Sequence, residues 1–314
     1  PPPAADAPCP EQAFNATALK WHTCAWLLLP VLVFLAGWMH WYAALPLTLL
    51  TAAGLAPRKR KEPQTRDSLP AFPLFTRSSF LALAAFAALM ALSGWGEWVN
   101  QHPDHIVRNA CLCELVASPW PVVFPDGDVL IYNTGFWLVP ALAGKVAGQE
   151  IARAFVVLWG AWGLFLAWLW LCVFSGRRSL LLALLMAAFG SLLNFQCWLG
   201  LDLFRLHYFG TAEQIMCSAN ASIPVLLFFI FLASGRMPLY WMPILFAATA
   251  FYSPLAALGG LPLAACQWRR QWKGVLPLRD VLLHPSFSAA VLLGVCFLLY
   301  YGAVNAPSSH MGMR

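Results

Sequence analysis

Apolar runs close to membrane-crossing length alternate along this chain with short polar stretches broken by proline. Ala154–Phe174, Ser179–Trp198, Met216–Gly235 and Val281–Tyr301 each approach the ~20 apolar residues that cross a ~30 Å hydrocarbon layer, so each is expected to be a spanning helix. Ser78–Trp98 is a fifth candidate. Two further pairs, Thr23–Trp38 with Met39–Ala56 and Pro238–Tyr252 with Pro254–Trp268, have marginal lengths. Each pair reads either as two spans or as a kinked or re-entrant hairpin. The pattern predicts an all-α polytopic transmembrane bundle of about 7–9 spans.

Composition agrees with the pattern: 61% of residues are hydrophobic and 10% charged, with a mean hydropathy of +0.67. The chain starts PPPAADAPCP and stops at SSHMGMR, which reads as a fragment. On that reading 1–22 is a disordered or truncated segment, 23–302 the transmembrane domain, incomplete towards its C-terminus, and 303–314 a tail.

Orientation follows from the cations. If RKRKEPQTR within 57–75 is cytoplasmic, alternating helices place Arg177, Arg178, Arg236, Arg269, Arg270, Lys273 and Arg279 on the same side. The net charge of +6 is then a membrane effect, basic loops facing anionic headgroups, and nucleic acid is not an expected partner. Of nine cysteines none has zinc-site spacing; Cys197 and Cys217, flanking the second outer loop, are the pair best placed for a disulfide. No GxxxxGK[ST], HExxH or GxSxG motif occurs, which withdraws support from nucleotide hydrolysis, zinc proteolysis and a hydrolase elbow.

The polar chemistry collects in two outer loops. In the first, the spacing of Ile106, Asn109–Ala110, Cys113 and Val116–Ala117 predicts an amphipathic helix over 105–116 lying on the membrane, with Asp104 near its N-terminus. Asp104 reads either as a helix cap or as a carboxylate able to act as general base towards an acceptor hydroxyl. Pro119, Pro121 and Pro125 then keep the chain extended until Tyr132, and Gly135–Ala147 is predicted as a second interfacial helix. Asp126-Gly127-Asp128 is a turn sequence and also a DxD triplet, the type that binds a divalent metal and diphosphate; no cofactor follows from it alone. The second loop supplies Asp202, Arg205, His207 and Glu213; an arginine at this level suits a phosphate because its planar fork binds two oxygens.

Asp104, Asn109, Pro119-Trp120-Pro121-Val122, Leu130, Tyr132, Gly135, Pro140-Ala141-Leu142 and Lys145, followed by Ala219–Pro224 and Ser253–Gly259 with Pro262, form a series that resembles membrane glycosyltransferases of the GT-C fold. The likeness is to the dolichyl-phosphate-mannose mannosyltransferase-like members and covers roughly 98–262. Where those relatives carry Lys and His after the aspartate, this chain has Val107 and Arg108. The resemblance implies a GT-C-like fold and an inverting transfer from a polyprenyl-phosphate-linked sugar to a glycan, lipid or protein acceptor. It implies a multi-pass location in the bacterial inner (plasma) membrane with the site facing outward. Asp104 takes the role of base, and Arg108, Asn109, Tyr132, Arg205, His207 and Glu213 contact substrate. Membrane lipids are the remaining partners. Two other classes share the composition: a transporter or flippase for lipid-linked glycans, and a non-enzymatic membrane assembly subunit. Intramembrane charges and inverted repeats would favour transport, and neither is visible in the sequence.

Overall fold

The computed structural model describes residues 16–56, 76–101, 103–189, 210–272 and 278–302. Among them the regular structure is helical and contains no strand; Val123 and Val129 make an isolated antiparallel bridge. The helices are α1 Ala16–Trp38, α2 Trp41–Leu55, α3 Arg77–Leu92, α4 Pro103–Ala117, α5 Gly135–Ala147, α6 Gln149–Ser175, α7 Leu180–Ala188, α8 Thr211–Ala233, α9 Met242–Tyr252, α10 Pro254–Gly259, α11 Leu261–Trp272, α12 Leu278–Leu282 and α13 Pro285–Gly302. A single 3-10 turn at Leu239–Trp241 leads into α9.

Among the described residues four helices are long and apolar enough to cross a membrane: Thr17–Trp38, Gln149–Ser175, Thr211–Ala233 and Pro285–Gly302. The first corrects the expectation of a marginal run starting at Thr23. Helix α1 begins seven residues earlier, inside the segment assigned to a disordered or truncated N-terminus, because Ala16–His22 continue the helix without a breaking Pro or Gly. Large exposed apolar side chains lie on the outer faces of the bundle, Phe80 and Leu81 on α3, Leu158 on α6, Val291 and Leu298 on α13, where lipid is a suitable neighbour.

Two helices hold the centre. Trp26 of α1 donates to Trp159 O of α6 (3.0 Å) and stacks between Trp159 (5.1 Å) and Tyr252 (5.6 Å). The Tyr252 hydroxyl returns a bond to Trp26 O (2.9 Å), and Trp170 Nε1 donates to Thr23 Oγ1 (2.8 Å). In an interior without water each of these N–H and O–H groups needs an internal acceptor, and each has one. Small residues bring backbones together elsewhere: a methyl group on Gly54 of α2 would meet Ser286 Cα of α13 at 2.7 Å.

The second marginal pair is a hairpin. Helix α9 has 11 residues, about 16 Å of rise, which is short of a crossing. The chain reverses at Ser253–Pro254, where Ser253 Oγ caps α10 by accepting from Ala256 N–H (3.4 Å). Helix α11 then packs beside the Leu239–Trp241 turn from which α9 set out. The two ends of the bundle are marked by contacts: Trp38 meets Trp120 (5.3 Å) at one, and Trp241 Nε1 donates to Leu55 O (3.2 Å) at the other. Helices α4 and α5 sit at the Trp120 end.

Candidate functional site

Helix α4 opens with Pro103, whose missing N–H is tolerated where no intrahelical acceptor exists. Asp104 follows inside the first turn, favoured there by the helix dipole. One turn on, Arg108 Nη2 lies 3.5 Å from Asp104 Oδ2. The two ends of the pair differ in exposure: the Asp104 side chain is 55% exposed and that of Arg108 8%.

The face of α4 that packs on the bundle is not the one its apolar spacing suggested. His105, Arg108, Cys111, Leu112 and Leu115 are buried, whereas Ile106, Ala110, Cys113 and Ala117 are exposed. Apolar residues run along both sides of this helix, so the covered side is decided by what packs against it. That partner is Trp95, absent from the residues singled out by sequence. Its ring lies under the Arg108 guanidinium (5.5 Å) and edge-on to His105 (5.3 Å), and it touches Phe136 (5.5 Å) and Trp137 (6.3 Å) of α5. A guanidinium over an indole face, shielded from water, is held by the ring quadrupole. Arg108 Nε and Nη1 are buried and have no hydrogen-bond partner among the described residues.

Trp95 also fastens α8 to this site. Ser218 leaves helical geometry (φ −155°, ψ 42°), which interrupts the backbone ladder. Trp95 Nε1 donates to Ile215 O (2.8 Å) just before the break, and Ser222 Oγ reaches Ser218 O (3.0 Å) across it. The kink brings Cys217 within electrostatic reach of Asp104, Arg108 and Glu213. Cys217 is a free thiol among the described residues, and the expected bridge to Cys197 lies outside them.

Glu213 accepts from Gly210 N–H (2.8 Å), closing the first turn of its own helix. Asn109 Nδ2 donates to Gln101 Oε1 (2.7 Å), and Gln101 Nε2 to Gly94 O (2.9 Å), so Asn109 braces the connector ahead of α4. The Tyr132 ring rests against Trp137 (5.4 Å). Asp126 and Asp128 stand in a tight turn: Asp128 N–H donates to Asp126 Oδ1 (3.2 Å), Phe124 N–H to Asp128 O (2.7 Å), and Gly127 takes φ 90°. Among the described residues no group of three or more His, Cys, Asp or Glu could hold a metal ion. Asp202, Arg205, His207 and the basic segment 57–75 lie outside the described residues.

Lys145, part of the sequence motif, serves the scaffold. Its Nζ donates to Ser118 O beyond the C-terminus of α4 and lies over the Trp120 ring (5.0 Å), a position that suits a cation at a helix C-terminus. Burial lowers its pKa. Burial, followed by the neighbouring Glu114 carboxylate, pushes the Cys111 thiol up to about 12. Comparison with family models, with characterised proteins and with solved structures finds no match to this chain.

Proposed function

We propose that this chain is an integral-membrane glycosyltransferase of GT-C type that transfers a sugar from a polyprenyl-phosphate donor to a glycan, lipid or protein acceptor at the outer face of the membrane. The topology proposed with it has α1, α2, α3, α6, α8 and α13 among its spans, the α9–α10 hairpin entering from the basic side, and α4 and α5 at the outer interface of a bacterial inner membrane.

The observation that supports this reading is the Asp104–Arg108 pair: an exposed carboxylate beside a buried guanidinium with two N–H groups unpartnered among the described residues. A buried cation with spare donors favours an anion, and the planar fork of Arg suits phosphate oxygens. In the proposed step the Asp104 carboxylate takes the proton of an acceptor hydroxyl as its oxygen bonds to the anomeric carbon. The bond from that carbon to the donor phosphate oxygen breaks, and the charge released stays on the lipid phosphate, which Arg108 contacts in this proposal. Attack from the face away from the leaving phosphate inverts the anomeric centre. Such a transition state needs a base for the acceptor proton and fixed positive charge for the departing phosphate. Arg205 and His207 complete the phosphate contacts in this proposal, with Asn109, Tyr132 and Glu213 around the sugar or acceptor.

The test is donor binding in vesicles. Arg108→Ala is expected to weaken binding of a polyprenyl-phosphate-linked sugar by roughly ten- to a hundredfold, the value of one charge-assisted hydrogen bond, and to leave binding of a neutral polyprenol unchanged. Equal donor affinity in the variant and the parent would overturn the assignment.

A further inference from the structure

The connector that delivers α4 to its place is built from left-handed backbone. Between α3 and α4, Gly94 (φ 95°), Gly96 (120°), Glu97 (68°) and Asn100 (50°) all lie in that region. Glycine enters it freely and Asn does so by local hydrogen bonding, but a glutamate there costs on the order of 1–2 kcal/mol. Such a residue persists only where its surroundings determine it.

Those surroundings are ionic. Glu97 Oε2 pairs with Arg153 Nη2 on α6, and Arg153 Nη1 pairs with Glu150 Oε1 in the first turn of the same helix. The Glu97 side chain is 18% exposed and that of Arg153 29%, so this pair is screened less than an ordinary surface bridge. Helix α6 is the most buried of the four long spans, which makes it the stiffest available anchor. The far end of α4 has its own fastening, Lys145 on Ser118 O and Trp120 Nε1 on Leu115 O (2.8 Å). The near end, which carries Asp104 and Arg108, is held through the connector.

We infer that Glu97 and Arg153 are positioning residues: their ion pair fixes the N-terminal half of α4, and with it the Asp104 and Arg108 side chains, against α6. This concerns placement and stands apart from the chemistry proposed above, so donor turnover plays no part in its test.

The experiment is hydrogen exchange of the whole protein in lipid nanodiscs, followed by mass spectrometry. The amides of 107–111 are the first in α4 with intrahelical acceptors, and they report on its N-terminal half. Glu97→Gln is expected to speed their exchange about tenfold, while amides of 113–117 and of 157–169 in α6 keep the parental rate. Arg153→Lys, which retains the charge, is expected to keep most of the protection. Glu97→Gly removes the carboxylate and the backbone strain together, and is expected to behave as Glu97→Gln. Parental protection in Glu97→Gly would make Glu97 a turn residue only and overturn the inference. Unchanged exchange of 107–111 in Glu97→Gln, or uniform acceleration that includes α6, would overturn it as well.

Discussion

At Asp104 and Arg108 two side chains one helical turn apart occupy different media, one half in water and one enclosed by Trp95. The sequence exposed the aspartate because it opens a predicted helix in a polar loop, and placed an arginine one turn away by counting. It could not show that Arg108 faces inward. That depends on Trp95, whose bond to Ile215 O spans 120 residues of sequence. The same inward face makes a native thiol pair informative. Cys113 is exposed, whereas Cys111 is buried with its thiol held at about 12. At pH 8 Cys111 then carries almost no thiolate and is shielded as well, so a maleimide is expected to modify Cys113 and spare Cys111 in the folded protein. Preferential modification of Cys111 over Cys113, read by peptide mass spectrometry, would place the other face of α4 against the bundle.

Among the elements, the runs Ala154–Phe174, Met216–Gly235 and Val281–Tyr301 were legible as long helices because about 20 apolar residues in a row have few other uses, whereas most of the second half of Ser179–Trp198 lies outside the described residues. The short ones were not, since length alone does not distinguish a tilted span from a hairpin. Ser253–Pro254 marks a reversal in one pair, and in the other the upstream extension to Ala16 gives α1 a crossing length while α2 keeps 15 residues. Close packing between elements was also hidden, because Gly54 and Ser286 sit in unrelated parts of the chain. Gly54→Ala would set a methyl group 2.7 Å from Ser286 Cα and 2.9 Å from its backbone nitrogen, with no flexible side chain to yield. Overpacking of this kind costs typically 1–3 kcal/mol. The variant is expected to melt at lower temperature in detergent, and an unchanged melting temperature would mean that α2 and α13 separate without cost.

For the whole molecule, the basic residues of alternate loops predict a sidedness by the positive-inside rule. In a variant lacking the native cysteines, single thiols introduced at Asp126 and Thr211 are expected to react with an impermeant reagent added to intact cells, and thiols at Pro63 and Gly274 only after lysis. Labelling at Pro63 in intact cells would invert the topology and put the Asp104 end of the bundle on the cytoplasmic side. The central claim, that Asp104 is the base of an outward-facing sugar transfer, is reached most directly by Asp104→Asn. Asn keeps the size of Asp and the Asp104 end of the pair is half exposed, so the variant should fold; its melting temperature is read beside turnover, because the buried Arg108 loses its counter-charge. A positioned base contributes ~10²–10⁴-fold in rate. With a polyprenyl-phosphate-linked sugar as donor, the account predicts that Asp104→Asn binds donor as the parent does and loses turnover by at least about a hundredfold; parental turnover in a fully folded variant would contradict it.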